Sequence, residues 1–484
     1  MNKIITLISL LYSLSSLSQE QLLDTSFGTN NGITKFTFYN QSGVERGDAS
    51  LSDCTKLPDG KMLCVGVGLF ARFTSNGILD TTFNTTGYKV FTNLGNYFKI
   101  KPTINGHYII MDIAYGGKIA KIDADGNFIS NFNIYEDQNT FVDFELDILG
   151  NIFLLKSRNN NYSLSKLTNN GIIDTTFGTN GVVELGNTYR YSWLKLNNSG
   201  EIFLSGSQSI SNTNVAIVVT KLSVNNTIDT SFGTNGSFIH NTGNIMGVSN
   251  KIEILDDGKI LGANAGTLCN GSNCYGLIIY RLLPNGTLDT TFRGSGISVI
   301  PVQSESAPSQ IEILDNNSFI IAGTGIRSMY ALKFDANGNL DNSFGVNGRI
   351  ITPQLSSDGY PAYNRGFLIY DNSIILNGVY SLWYASSLRY STVLRKYNFT
   401  ENMSITNPQQ RNVILYPNPA KDELNINSFN QIESYKIYNV NGSLIEEKKI
   451  INSEKIDVSN LNSGIYFIRL EEKFKSNYYK FIKQ

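Results

Sequence analysis

The chain has 484 residues, of which 41% are hydrophobic and 11% aromatic, so it can bury a large core and divide into more than one domain. Only 16% of the residues are charged, and 39 basic against 40 acidic residues leave a net charge of −1. This balance excludes the basic excess typical of proteins that bind nucleic acids or anionic membranes. A polar content rich in Asn, Ser, Thr and Gly favours short strands and turns over helices.

The first residues have the pattern of an export signal. Lys3 precedes an apolar run over residues 4–17, and Ser16 and Ser18 are small residues of the kind that signal peptidase recognises. We therefore expect residues 1–18 to be a signal peptide that is cleaved just before Gln19 or Glu20. The run is shorter than the roughly 20 apolar residues that span a bilayer. No later segment is apolar enough, so no transmembrane segment is expected in the mature chain.

A short motif recurs along most of the chain. Leu-Asp-Thr-Ser-Phe-Gly at residues 23–28 returns with small changes, and successive copies are 45 to 60 residues apart. The copy with Ile129 departs most, since Ile replaces the Asp. A period of this length indicates repeated supersecondary units. The motif phenylalanines are Phe27, Phe83, Phe132, Phe177, Phe232, Phe292 and Phe344.

Each unit contains about four predicted strands. A hairpin precedes each tail motif, and its turn carries Gly or Asn, the residues that best tolerate a left-handed backbone. One strand follows the hairpin, and a further strand, such as the one from Gly32, is taken to open each unit. Four strands are the content of a propeller blade. The turn residues are Gly60, Gly106, Gly150, Gly200, Gly258, Asn317 and Asn372.

The sequence therefore predicts an all-β fold, with a seven-bladed β-propeller-like repeat domain over residues 19–400. The seventh unit has no tail motif of its own, and the unmatched tail at residues 23–28 is expected to complete it. The two ends of the repeat region would then meet in one blade and leave no free sheet edge. An open solenoid is the alternative, although no distinct capping repeat is evident.

Two polar positions recur with the repeat. A residue present in every unit usually serves the architecture, and we interpret these two as turn caps or ion pairs between strand and tail. The basic position is Arg72, Lys121, Lys166, Lys221, Arg281, Lys333 and Arg395. The acidic position is Asp24, Asp80, Asp174, Asp229, Asp289 and Asp341.

The tails and their spacing resemble the bacterial repeats called Delta-60 over roughly residues 23–400. That resemblance implies a propeller-like domain and no catalytic residues.

The four cysteines are consistent with an oxidising destination. A three-residue loop at residues 58–60 would place Cys54 and Cys64 directly opposite each other, close enough for a disulfide, whereas a one-residue slip would separate them. Cys269 and Cys274 frame the loop Asn-Gly-Ser-Asn and predict a second, local disulfide. A zinc site is the alternative, but neither pair has Cys-x-x-Cys spacing, so no metal and no cofactor are expected.

No recognisable nucleophile, phosphate-binding or metal motif occurs, so no catalytic residue is predicted and a non-catalytic role is favoured. Binding should depend on positions where the repeats differ. Two aromatic groups stand out, Tyr191 with Trp193 and Trp383 with Tyr384, because flat exposed rings stack on sugars or anchor protein interfaces. Filling of the sheet cores is the alternative use of these rings.

After a polar linker at residues 401–412, the pattern changes to that of a small antiparallel β-sandwich over residues 413–484. Its elements resemble, in order, the C-terminal sorting domain of type IX secretion: a Tyr-Pro-Asn-Pro opening, a turn with Gly442, a strand with Gly464 and Tyr466, and a basic end. The opening element is Tyr416, Pro417, Asn418 and Pro419.

The resemblance implies passage through the type IX machinery, removal of the sorting domain, and release or attachment at the outer cell surface. We expect a secreted or surface-bound propeller that binds a glycan or protein. A glycosidase or lyase, which needs a convergent carboxylate pair, and a structural component of the cell surface or matrix are the alternatives.

Overall fold

The chain divides into two compact units, Met1–Thr406 and Asn407–Gln484. The described residues form strands and turns without any helix, and none of their segments is a helix suited to crossing a membrane. The computed structural model describes residues 22–38, 50–91, 97–103, 105–113, 116–197, 199–211, 214–241, 250–267, 275–302, 307–314, 316–325, 328–352, 359–370, 372–384, 387–399, 413–428, 432–439, 444–449, 455–472 and 475–484.

The described part of the first unit consists of seven four-stranded antiparallel sheets, which we call blades 1 to 7. Its strands are β1 (Ile33–Phe36), β2 (Leu51–Lys56), β3 (Met62–Gly66), β4 (Leu69–Phe73), β5 (Tyr88–Val90), β6 (Tyr97–Pro102), β7 (Tyr108–Asp112), β8 (Lys118–Ile122), β9 (Tyr135–Glu136), β10 (Thr140–Leu146), β11 (Ile152–Arg158), β12 (Asn161–Leu167), β13 (Val182–Gly186), β14 (Arg190–Leu196), β15 (Ile202–Ser211), β16 (Asn214–Leu222), β17 (Ser237–Asn241), β18 (Lys251–Ile254), β19 (Ile260–Thr267), β20 (Tyr275–Leu282), β21 (Ile297–Pro301), β22 (Ala307–Ile313), β23 (Phe319–Gly325), β24 (Ser328–Phe334), β25 (Arg349–Ile351), β26 (Gly359–Tyr370), β27 (Ser373–Tyr384) and β28 (Ser387–Asn398).

Blades 1 to 6 each use four consecutive strands, β2–β5, β6–β9, β10–β13, β14–β17, β18–β21 and β22–β25. Blade 7 has the order β1-β28-β27-β26, so its outermost strand comes from the beginning of the repeat region. The first strands of neighbouring blades contact one another, including β2 with β26. These first strands therefore line the axis of the propeller.

Apolar side chains pack between the blades rather than within a single sheet. Each of seven core clusters is shared by two consecutive blades. The cluster that joins blade 7 to blade 1 combines Phe27, Leu51, Ile375 and Leu394. Since the cores follow one another around a circle, the described blades close into a ring, as expected of the predicted propeller-like fold.

The N-terminal segment makes this closure. Ile33 of β1 pairs with Arg395 of β28, Leu23 bridges Tyr397, and the Asp24 N–H donates to the Lys396 carbonyl at 2.9 Å. The strand after Gly32 does not open the first unit, as the sequence suggested, but completes blade 7. In every blade the strand that follows a tail is the fourth and outermost, because the tail turns the chain back along the third strand.

Each tail connects its own blade to the next. The Phe83 N–H donates to the Asp80 carbonyl at 2.9 Å, and the divergent copy keeps this turn, with the Phe132 N–H donating to the Ile129 carbonyl at 3.1 Å. The phenylalanine packs under a glycine in the following blade, in the turn between the third strand of that blade and its tail. At Gly77, where φ is +73°, an added Cβ would lie 2.3 Å from the Phe27 ring, so only glycine fits.

The recurring basic and acidic positions form ion pairs in six blades. One prediction was wrong by one residue: the partner of Asp24 is Lys396, whereas the neighbouring Arg395 is buried on the other side of β28, because side chains alternate along a strand. Lys121, which faces Ile129 instead of Asp, donates to the Asn169 carbonyl at 2.9 Å. The pairs are Arg72–Asp80 (2.7 Å), Lys166–Asp174 (3.2 Å), Lys221–Asp229 (3.0 Å), Arg281–Asp289 (2.8 Å), Lys333–Asp341 (2.8 Å) and Lys396–Asp24 (2.9 Å).

A disulfide joins the first two strands of blade 1. Cys54 and Cys64 are paired residues of β2 and β3, and their sulfur atoms are bonded, as the turn arithmetic predicts. Cys269 and Cys274, the other predicted pair, lie outside the described residues.

The second unit contains two sheets around one core. A three-stranded sheet has the order β29-β30-β33, and a four-stranded sheet has the order β32-β31-β34-β35. The core between them includes Leu424, Ile437, Ile468 and Phe481. The strands are β29 (Val413–Tyr416), β30 (Glu423–Ser428), β31 (Ile432–Asn439), β32 (Leu444–Lys449), β33 (Lys455–Asp457), β34 (Gly464–Glu472) and β35 (Lys475–Lys483).

Candidate functional site

The strands that line the axis share a β-bulge. In six of the seven blades the pairing of the first strand with the second shifts by one residue near the beginning of the first strand, for example between Tyr191 and Trp193. A bulge re-aims the side chains that follow it. The residue directly after the bulge and the residue two positions further along the strand therefore face the axis, at equivalent places in successive blades.

These axial positions form two layers of mostly polar side chains. The upper layer, which follows the bulge, contains one residue from each blade, and the lower layer contains the residue two positions further along each strand. Charged residues dominate both, although interiors of repeat proteins are usually apolar. The upper layer is Asp53, Lys99, Asp143, Trp193, Lys251, Gln310 and Gly366, and the lower layer is Thr55, Lys101, Glu145, Lys195, Glu253, Glu312 and Leu368.

Ion pairs link neighbouring blades across both layers. Lys99 pairs with Asp143 in the upper layer. In the lower layer the distance from Lys101 Nζ to Glu145 Oε1 is 2.6 Å. Lys195 Nζ lies 2.5 Å from Glu253 Oε1 and 3.8 Å from Glu145 Oε2. Each of these pairs joins two different strands around the axis, so they help to fix the relative positions of the blades.

Burial and neighbouring charges shift several of these groups. Burial and the adjacent Glu253 carboxylate together raise the pKa of Glu312 to about 7, although the hydrogen bond from the Gln310 amide partly stabilises the charged form. Burial also raises the pKa of Asp53 to about 6. Glu145 behaves oppositely: although burial disfavours its charge, Lys101, Lys195 and Lys99 lower its pKa to about 2.

Lys251 differs from the other axial lysines within the described residues, because no carboxylate lies within ion-pair distance of its ammonium group. Its Nζ instead lies 3.6 Å from the centre of the Trp193 ring, which Lys99 Nζ also approaches, at 4.3 Å. Burial lowers the pKa of Lys251 to about 8. The indole N–H of Trp193 is buried and donates to no acceptor in the described part of the chain.

The two ends of the propeller differ. Because each blade is an antiparallel meander, the hairpin turns and the tails all lie at one end, which we call the turn face. At the other end, which we call the variable face, the outermost strand of one blade ends and the first strand of the next begins, and the number of residues between these strands differs from blade to blade, for example between Phe36 and Leu51 and between Val90 and Tyr97. The upper layer lies at this end, since it follows the beginning of each first strand. Strands also vary in length here: β3 has 5 residues and β27 has 12.

The structure treats the four predicted aromatic residues differently. Tyr191 is buried between blades and its hydroxyl donates to Thr220 Oγ1 at 3.0 Å, so it fills a core. Trp193 is partly exposed on the axis. Trp383 and Tyr384 end the long strand β27, which projects from the variable face, but their side chains lie outside the described residues. The two groups therefore share one face, although no contact between them is described.

The charged axial residues were not predicted from the sequence. Their signal is a triplet of polar, apolar and polar residues before the hairpin in five of the seven blades, as in Lys99-Ile100-Lys101 and Lys251-Ile252-Glu253. Each triplet alone resembles any half-buried strand. Only the alignment of all seven units on their turn residues would have shown that the charged positions coincide.

No metal centre is formed within the described residues, where no group of three His, Cys, Asp or Glu side chains is arranged to hold an ion.

The predicted sorting motif is held by the end of the chain. The Ile482 N–H donates to Asn418 Oδ1 at 2.9 Å, and the Tyr416 side chain is exposed. Gly464 begins β34, and the Tyr466 ring stacks on Phe481. Pro417 and Pro419 flank Asn418 in the segment before Ala420, whereas Gly442 lies outside the described residues.

Two family models match the chain. Residues 414–484 match a secretion system C-terminal sorting domain, which confirms the predicted sorting module. This module directs export by type IX secretion, and the protein is located at the cell surface or outside the cell. Residues 57–83 and 255–292 match a domain of unknown function described as a beta-propeller, DUF5122. The propeller fold is thereby confirmed. No curated protein matches the sequence.

Several solved structures are similar to this chain at low sequence identity. The β-propeller domain of the Trilobed protease from Pyrococcus furiosus is 11% identical (TM-score 0.38), with 73% of this chain and 96% of that chain covered. A polysaccharide lyase of family PL25, an ulvan lyase, is 11% identical (TM-score 0.43; 74% and 96%). A prolyl endopeptidase is 8% identical (TM-score 0.36), and the match covers 88% of this chain but only 55% of that enzyme. At these scores none of them indicates an activity for this chain.

Proposed function

We propose that the propeller is a non-catalytic binding module, exported to the cell surface or beyond, that takes a glycan or protein ligand at the variable face of its axis. The observation that carries the proposal is the partly exposed Trp193, held among ammonium groups at the point where all seven blades converge. Binding sites in proteins are commonly concave and combine a few rings with a few directed polar groups.

The arrangement of the repeats supports this location. The turn face is uniform, because the same tails and glycine turns occupy it in nearly every blade, and uniform positions serve the architecture. The variable face differs from blade to blade and includes the projecting end of β27 with Trp383 and Tyr384. Exposed Tyr363, on the neighbouring strand β26, adds a further ring at this end.

The test is a screen of the full-length chain against glycans and surface proteins, followed by single substitutions. Trp193→Ala and Trp383→Ala are expected to weaken binding of the ligand found by about tenfold or more, since aromatic anchors dominate many interfaces. Leu149→Ala is the matched control, because Leu149 is an exposed apolar residue at the hairpin turn of blade 3, on the opposite face. Unchanged binding in both tryptophan variants would exclude this site.

A secreted glycosidase or lyase is the second candidate, favoured by one observation. Glu253 and Glu312 occupy adjacent places in the lower layer. Burial raises the pKa of both carboxyls, that of Glu312 to about 7, and the ion pair with Lys195 favours the charged form of Glu253. A protonated and an ionised carboxyl are the requirements of glycosidic acid and base catalysis. Release of oligosaccharides from a polysaccharide panel, lost in Glu312→Gln, would establish this function in place of the first.

A further inference from the structure

Within the described residues, some cations near the axis have no acidic partner. These cations lie at the variable face. Each acid of the upper layer is already engaged: Asp143 pairs with Lys99 and accepts the Leu194 N–H at 2.8 Å. Asp53 accepts the N–H groups of Ile100 and Cys54, at 3.0 and 2.9 Å. The ammonium group of Lys251 has neither an acid nor a hydrogen-bond acceptor in the described residues, only the face of the Trp193 ring.

An ammonium group in this position is only partly compensated. The attraction of a cation to an indole ring is modest, whereas removing an ammonium group from water is costly. Lys99 and Lys195 also face Lys251, so like charges oppose it, while Asp143 and Asp53 attract it from further away. An anion that reached this point would supply the missing counter-charge.

A second unpaired cation lies at the same end of the axis. Arg365 occupies the bulge of β26, is exposed, and lies with its guanidinium carbon 5.9 Å from the centre of the Phe98 ring. Within the described residues it forms no ion pair. Phe98 and Tyr363 therefore place flat rings beside this cation, in the way that sugar-binding sites combine apolar ring faces with polar groups.

We propose that the upper layer binds an anionic glycan, with Lys251 holding a carboxylate or sulfate group of the sugar and Arg365 providing a second positive charge. This inference rests on the proposed binding function and adds the chemical class of the ligand. The rings beside Arg365 favour a sugar over an acidic peptide, because a peptide carboxylate would use the cations but not the flat apolar surface around them.

The test uses three polymers that share one backbone: dextran, carboxymethyl-dextran and dextran sulfate. The full-length chain is expected to bind at least one of the charged polymers and not dextran, and increasing salt should weaken binding. Lys251→Met, which keeps the aliphatic packing on Trp193, is expected to reduce affinity by about tenfold or more, the usual effect of losing one charge-assisted hydrogen bond. Lys251→Arg is expected to retain most of the affinity.

Lys259→Met is the matched control, because Lys259 belongs to the same blade but lies at its hairpin turn on the turn face, paired with Asp257. Its affinity should equal that of the unmodified chain. Melting temperatures of the three variants show whether a loss of affinity reflects a loss of folding. Inorganic sulfate as competitor separates recognition of the sugar from recognition of the anion alone, since a glycan site should resist millimolar sulfate.

The outcomes separate the two proposals. Binding of dextran equal to that of the charged polymers would overturn the anionic class and leave the binding function in place. Binding of poly-glutamate but of neither charged dextran would replace the glycan by an acidic polypeptide and overturn this inference. No binding of the charged polymers, together with an empty glycan and protein screen, would overturn both. If a folded Lys251→Met variant bound the charged polymer with unchanged affinity, Lys251 would not be part of the binding site.

Discussion

Among the single residues of the axis, most charged side chains in the described part of the chain lie next to an opposite charge, but some do not. Lys99, Lys101 and Lys195 each form an ion pair, whereas Lys251 and Glu312 form none with any residue that the structure describes. Buried groups of this kind hold their neutral forms more readily than groups in water. The protonation of the axis therefore changes within the range of pH that an exported protein meets.

Glu312 should make the protein less stable as the pH rises. Its pKa is raised from 4.5 to about 7 in the folded chain, so between these values the folded state holds a proton that the unfolded state has released. Glu312→Gln removes this penalty and is expected to increase the free energy of unfolding by about 1–2 kcal/mol near pH 8, with no gain near pH 4. Urea unfolding at several pH values measures the difference.

The control for this substitution is Glu136→Gln, an exposed glutamate at the outer edge of blade 2. It should change stability little at any pH. A Glu312→Gln variant whose stability ran parallel to that of the unmodified chain from acid to alkaline pH would show that Glu312 ionises normally.

The Cys54–Cys64 disulfide closes a short loop across the first hairpin. The two residues are separated by 10 positions, so removing the bond with Cys54→Ala and Cys64→Ala is expected to cost roughly 2–3 kcal/mol through the greater freedom of the unfolded chain. Urea unfolding in the presence and absence of reductant measures this loss. Reductant should destabilise the unmodified chain and have a much smaller effect on the variant.

At the scale of elements, the repeated unit is best understood as a joint between blades. Each tail turns the chain back along its own blade. It also places its phenylalanine under a glycine of the next blade, in the turn that precedes the tail there. The joint that closes the ring differs from the others only in the order of its parts along the chain. Its phenylalanine, Phe27, lies at the beginning of the repeat region, whereas three of the four strands of blade 7 lie at the end. Its local contacts are those of the other joints.

Phe27→Ala and Phe232→Ala compare the closing joint with an internal one. Both rings are almost completely buried, and each substitution is expected to cost about 3–5 kcal/mol, as is usual for a large buried ring. Only Phe27→Ala should also expose residues 22–38 to limited proteolysis, because these residues are held to blade 7 by β1 and not by a preceding blade. Identical cleavage of the two variants would show that the N-terminal segment does not close the ring.

At the scale of the whole molecule, the two units separate two tasks. The sorting domain at residues 414–484 directs export, and the binding function that we propose lies in the propeller. The axial site lies entirely within the first unit. Its residues come from every blade, so the site exists only when the ring is closed.

Removal of residues 414–484 should prevent export while leaving the propeller folded, because the sorting domain has its own core. The truncated chain is expected to accumulate inside cells that possess a type IX system, and to be missing from the surface and the medium. Cell fractionation and surface proteolysis measure its location, and the full-length chain is the control. Surface display of the truncated chain would contradict the role of this domain.

Much of the fold followed from local signals. Alternation of polar and apolar residues identified strands, and glycine or asparagine at each turn fixed their register, which is why the Cys54–Cys64 pairing could be predicted. The closure by residues 23–28 followed from one missing tail. The error at Arg395 arose because two basic residues are adjacent there, and only the side of the strand on which the tail lies decides between Arg395 and Lys396.

The β class, the repeat and the sorting domain could be predicted from the sequence because each shows as a pattern among residues that are close along the chain, and the closure followed from the one tail that lacks a unit of its own. That Trp193, Lys251 and Glu312 share one axis could be learned only from the folded chain. These residues come from three different blades, which the closed ring brings together, and the positions of Trp193 and Glu312 also depend on bulges that are a property of strand pairing. The same closure places the ammonium group of Lys251 beside an indole ring at the variable face.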